Sequence, residues 1–142
     1  MKDTAALMAD FFAQDDLARL TVDAGELLDC PLMVIDDAFR VTAHYAPLGF
    51  TDPLFDRAVQ QGAITYEAGA IISRSPALSA GAPDYVEVAD STRRRRFAPL
   101  ISTGVRLGYL VCVDIDGHLA DIPAETFRTV ETVLAKQLFV EA

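Results

Sequence analysis

The sequence predicts an α+β fold: a central antiparallel sheet of about five strands, with the N- and C-terminal helices on one face and connecting helices and a loop over the other. Three observations carry this. Apolar residues recur at helical spacing at both ends of the chain, two strand-like runs follow the first helices, and three more follow a middle helical stretch. The strands succeed one another as a hairpin and then a meander, which antiparallel pairing accommodates with short turns. At 142 residues, 51% hydrophobic and 23% charged, the chain suits one domain, 1–142, that buries its core without metal or disulfide support.

Each element has a local reason. Leu7, Met8, Phe11 and Phe12 mark a short amphipathic helix over Thr4 to Phe12. After Gln14-Asp15-Asp16, where either aspartate suits an N-cap, Leu17, Leu20, Ala24, Leu27 and Leu28 continue a second helical stripe that Pro31 ends, giving a helical segment 1–29. "LMVID", Leu32 to Asp36, is apolar on both alternating faces and reads as a covered strand. Asp37-Ala38 turns the chain into "RVTAHY", Arg40 to Tyr45. Its alternation puts Val41, Ala43 and Tyr45 on one side and Arg40, Thr42 and His44 on the other, as in a half-wet edge strand.

"TDPLFDRAVQQG" starts a helix at Thr51 or Asp52 with Pro53 in its first turn and stops it at Gly62. A further short helix spans Thr65 to Arg74, weakened by Gly69. Ser75 to Asp84, "SPALSAGAPD", reads as a loop of the length that binding loops and lids have. "YVEVA", "RRRRFAPLIS" and "VRLGYLVCVDI" are three strands, the last two joined through Thr103-Gly104. Leu107 to Ile115 is the most apolar run and belongs mid-sheet, which closes a sheet-and-pocket region over 31–115. Asp121 and Pro123 open a last helix over 121–142 with Phe127, Val130, Leu134 and Leu138 on one stripe.

Charge and composition exclude several functions. The net charge is −9, and acidic residues outnumber basic ones nine to two over Met1 to Asp37, so the surface repels nucleic-acid backbones. No apolar run reaches the 18 residues of a membrane span, and the acidic N-terminus is no signal peptide, so the expected location is cytoplasmic, with no membrane partner. Cys30 and Cys112 lie far apart with no CxxC and no neighbouring histidine, and read as buried free thiols. No metal and no cofactor is expected. His118, in a turn after Asp116-Gly117, is expected to be exposed, and His44 to lie on the wet side of its strand.

"FAPLISTGVRLGYLVCVD", Phe97 to Asp114, with its Pro-Leu strand end, its turn at Gly104 and its Leu107-Gly108 step, resembles GAF domains, small-molecule sensors related to PAS domains. Leu27 to Ala43, "LLDCPLMVIDDAFRVTA", is similar to the opening of the GAF-like sensor of PucR/CdaR-type bacterial transcriptional regulators. The resemblance implies a sensory module without catalytic activity, a homodimer formed through the terminal helices, and signal transfer to DNA. Nothing after Asp121 has the length of a helix-turn-helix unit, so DNA is expected to be reached only through such a domain outside this chain. The cysteine-histidine pair of bilin-binding relatives and the Asn-Lys-x-Phe-Asp-Glu motif of cyclic-nucleotide GAF domains are both missing from the sequence, which argues against those two ligand classes.

The residues that could hold a ligand are few. Tyr45, Phe50, Phe55, Tyr66, Tyr85 and Tyr109 fall between the strand sets and around the helices that would roof a pocket, where aromatics either build core or orient a ligand. Arg93 to Arg96, four consecutive arginines, alternate faces if they sit on a strand, so two guanidinium groups point each way. They serve either as a solvated strand entry or, on one face, as a fork for a carboxylate or phosphate. The smaller Ala98 and Ser102 leave space on the even side, so Arg94 and Arg96 are expected at the pocket, with Arg93 and Arg95 facing away. Two rival readings stand beside the sensor. A GAF-fold methionine sulfoxide reductase would need an exposed, low-pKa cysteine. A ligandless dimerisation module would have a collapsed core.

Overall fold

The computed structural model describes residues 3–141 except 88–92, and only the backbone at 66 and 67. The described elements are α1 (Thr4–Phe12), α2 (Leu17–Leu28), β1 (Leu32–Asp36), β2 (Val41–Tyr45), α3 (Pro53–Gln61), α4 (Tyr66–Arg74), α5 (Pro76–Ser79), β3 (Asp84–Val86), β4 (Arg95–Ser102), β5 (Val105–Val113), a 3-10 turn at His118–Asp121, and α6 (Ala124–Glu141). The five strands form one antiparallel sheet in the order β2-β1-β5-β4-β3. The most apolar strand, β5, is at its centre, where both faces are covered. Gly108 in β5 is what lets β1 lie so close: a Cβ there would stand 2.0 Å from the Ile35 carbonyl oxygen.

Short polar side chains start the helices. Asp3 caps α1, Asp16 caps α2, Thr65 caps α4 and Ser75 caps α5, each accepting a backbone N–H from the first turn. α2 ends at Asp29, which takes the left-handed conformation, and the Cys30 N–H closes back on the Gly25 carbonyl at 3.2 Å. Thr103 and Gly104, both at positive φ, make the two-residue turn between β4 and β5, with Ser102 paired to Val105.

The sheet separates two cores. On one face α1, α2 and α6 enclose Leu20, Leu28, Val34, Leu110, Val130 and Leu134, all within 1% of full burial. On the other, α3, α4 and α5 cover Met33, Ile35, Ile72, Phe97, Tyr109 and Val111. The terminal helices lie along the sheet, whereas α3 to α5 touch it more sparsely.

Three expectations are corrected. β2 does not keep Val41, Ala43 and Tyr45 on one side: a bulge opposite Val34 and Ile35 sends Val41 to the α3–α5 core and leaves Ala43 and Tyr45 with α2 and α6. The segment from Ser75 to Asp84 is no free lid, because Pro76–Ser79 is helical, Leu78 is buried, and the Ser75 hydroxyl donates to Asp84 at 2.8 Å. His118 is half-buried rather than exposed, its Nε2 lying 2.9 Å from the Leu28 carbonyl oxygen. The sequence-based strand "YVEVA" is described only as far as Glu87, since 88–92 lie outside the described residues.

Candidate functional site

The arginine run sits where β4 enters the sheet, and its guanidinium groups divide among three carboxylates, Arg93 and Arg95 both meeting Asp52. Arg93 donates to the Thr51 carbonyl at 2.9 Å and covers the Phe50 ring. Arg94 meets the buried carboxylate of Asp114 at 3.1 Å and lies over the Tyr85 ring. Arg95, only 3% exposed, places Nη2 2.6 Å from Asp52 Oδ1. Arg96, also buried, donates to Glu131 of α6 at 2.8 Å with its guanidinium 3.7 Å above the Phe127 ring. Strand alternation therefore sends Arg95 to the α3 layer and Arg96 to the α6 layer, and each meets a carboxylate there.

Asp52 joins two tasks. One oxygen accepts the Leu54 and Phe55 N–H groups at 3.1 and 3.0 Å, capping α3, and the same oxygen holds Arg95. Asp114 does likewise on the other side of β4: Oδ1 accepts the Leu119 N–H at 3.0 Å, fixing the 3-10 turn, while Oδ2 accepts from Arg94. Burial pushes the Glu131 carboxyl above its ordinary value, opposed by the Arg96 charge beside it.

Between the sheet and α3–α4 lies a cavity of about 30 Å³ whose walls include Met33, Phe55, Ile64, Ala68, Phe97 and Val111. Thr65 and Arg95 are the polar residues of its lining, but the Arg95 guanidinium is turned to Asp52 and the Arg93 carbonyl, so the chamber itself is apolar. A volume near 30 Å³ suits a water molecule. Anything larger needs the α3–α4 roof to move.

The residues singled out from sequence separate. Phe55 lines the cavity, and Phe50 backs it, ring to ring at 5.5 Å with Phe55. Tyr109 is on the same face but pairs with Phe39, 6.3 Å between centroids, and burial raises its phenol pKa. Tyr45 is on the opposite face, its ring filling the space that a side chain on Gly25 of α2 would take. The side chain of Tyr66 lies outside the described residues. The even arginines are corrected: Arg94 turns to Asp114 and Arg96 to α6, and it is Arg95 that borders the cavity. The small Ala98 that suggested space beneath Arg94 and Arg96 instead packs in the core shared with α6.

Sequence reasoning missed Arg95, Thr65 and Ile64. A usable signal was present, since Phe97 shares the odd face with Arg95 and had to be buried. Missing was any means of knowing that the odd face meets α3. Compared with known proteins, the chain matches no family model and no curated protein.

Proposed function

We propose that this chain is a ligand-sensing and dimerising regulatory domain of GAF type, from a PucR/CdaR-like transcriptional regulator, that binds a small molecule without catalysing a reaction. The observation that carries it is the apolar cavity beneath α3 and α4, with the Arg95–Asp52 pair beside it, so that opening of the roof would admit a small apolar body and bring an anionic group on it near Arg95. Both cysteines are fully buried, which disfavours sulfoxide reductase chemistry at either thiol. DNA would be reached through a helix-turn-helix domain elsewhere in the regulator, and the acidic surface of this domain would take no part.

The homodimer belongs to the same proposal. A groove between α1 and α6 is lined by Met8, Phe11, Phe12, Glu125, Arg128 and Lys136, with Phe12 72% exposed. Glu125 and Lys136 are about three helical turns apart on one side of α6. Antiparallel pairing of two α6 helices across a two-fold axis would therefore set each glutamate against the lysine of the other copy.

The small cavity volume favours one rival, a dimerisation module with a collapsed core. Methyl NMR of Met33, Ile64 and Val111 during titration with small aliphatic and aromatic carboxylates separates the two. Saturable shifts confined to these methyls support the sensor. A dimer whose cavity methyls respond to no member of the series, and which retains no small molecule in native mass spectrometry, is the ligandless module.

A further inference from the structure

The two cysteines, far apart in sequence, meet in the core. Cys112 is in the central strand β5, opposite Leu32 of β1. The Val113 N–H donates to the Pro31 carbonyl at 2.9 Å, so the antiparallel register continues one residue behind β1. Cys30 and Cys112 thereby become diagonal neighbours on the face beneath the terminal helices, and both are fully buried there. Cys30 has little freedom to turn away. Its N–H is tied to Gly25, and Asp29 before it is held in the left-handed cap of α2.

We propose that Cys30 and Cys112 form an oxidative modification site that closes into an intramolecular disulfide. A disulfide needs Cβ atoms within about 3.5–4.5 Å, closer than diagonal neighbours in a regular sheet, so closure draws the Cys30 end of α2 toward β5. The oxidant is a peroxide. One cysteine, as thiolate, attacks a peroxide oxygen, the O–O bond breaks, and hydroxide leaves with the electron pair to become water on taking up the thiol's proton. The sulfenic acid that results is attacked by the second sulfur, forming the S–S bond and releasing a second water. Two thiols and one hydrogen peroxide thus become one disulfide and two waters.

The neighbouring Cys112 thiol and burial both raise the Cys30 pKa, so Cys30 stays protonated and slow until the layer of α2 and α6 opens. Oxidation then fastens the end of α2 to the middle strand. The site is independent of the ligand cavity, which lies on the opposite face.

The test treats the full chain with excess hydrogen peroxide under native conditions, then denatures it, alkylates it and digests it for mass spectrometry. The expected result is loss of both alkylatable thiols, a linked peptide pair joining Cys30 to Cys112, migration as a single chain without reductant, and recovery of both thiols with dithiothreitol. Cys112→Ser should yield no linked peptide and leave Cys30 either alkylatable or carrying oxygen. Two thiols still alkylatable after prolonged exposure would overturn the proposal, as would sulfinic or sulfonic products without a linked peptide, or disulfide-joined dimers. The measurement on the unaltered chain decides the matter even if the serine variant does not fold.

Discussion

On the face beneath α1, α2 and α6, Leu20, Val34, Ala98, Leu110 and Leu134 have no exposed surface, and the ion pairs of Arg96 with Glu131 and of Arg19 with Asp23 lie at its border. On the face beneath α3, α4 and α5 the core is smaller, encloses a cavity, and has Asp52 and Arg95 drawn into it. The same sheet thus supports two kinds of interior. The first is filled by long helices lying along the strands, with little space to give up. The second is roofed by short helices fixed largely at their ends, by Asp52, Thr65 and Ser75, so that its packing can change at the cost of a few caps.

The largest test of this contrast is a pair of truncations. Leu134→Ala on α6 should cost about 4 kcal/mol and Ile72→Ala on α4 about 2 kcal/mol, since the loss depends on how far the surroundings relax into the space left behind. Urea unfolding of both variants gives the comparison, and equal losses would break it.

Enlarging a small residue should sharpen the contrast. Ala24→Val in α2 meets a filled core and should destabilise by about 1–3 kcal/mol, whereas Ala58→Val in α3 grows toward the cavity and should stay within about 1 kcal/mol of the parent. Both sites are helical, so the intrinsic penalty for valine is common to the two. An Ala58→Val loss as large as that of Ala24→Val would mean that the cavity face is packed as firmly as the other.

The smallest effect concerns pH. The folded chain holds Glu131 above its ordinary value near 4.5, so between that value and the raised one the folded state binds more protons than the unfolded state. Stability from this group should therefore rise as pH falls through that window. Measured against Glu131→Gln, the parent should gain relative stability on acidification from neutrality. A relative loss would show the Arg96 charge outweighing burial.

Much of this architecture was legible in the sequence because local chemistry dictated it. Asp16, Gly62, Pro31 and Thr103-Gly104 start, stop or turn the chain by properties of their own backbones and side chains, and the apolar β5 went to the centre. Legibility ended where a position depended on a partner distant in sequence. The bulge in β2 cannot be seen from Val41, Ala43 and Tyr45 alone, since only pairing with β1 reveals that Thr42 is extra. The small side chain at Ala98 suggested free space from sequence, yet it is buried in the core beneath α6. The cavity suffered most, because its Arg95 wall is fixed to the start of α3 by Asp52, 43 positions away.

The four arginines also have a consequence for how the gene can vary in length. Deleting any one of the four residues gives the same polypeptide, and in it the three places nearest β4 are still arginine. The pairs of Arg94 with Asp114, Arg95 with Asp52 and Arg96 with Glu131 would all survive, while the contacts of Arg93 with Thr51, Phe50 and Asp52 would be surrendered. Repetition at this point works as a spare part: the connection into β4 can shorten by one residue while both faces of the strand keep their guanidinium groups. A deletion one position further on, at Phe97, has no such reserve, because every arginine would then shift to the wrong side of the sheet.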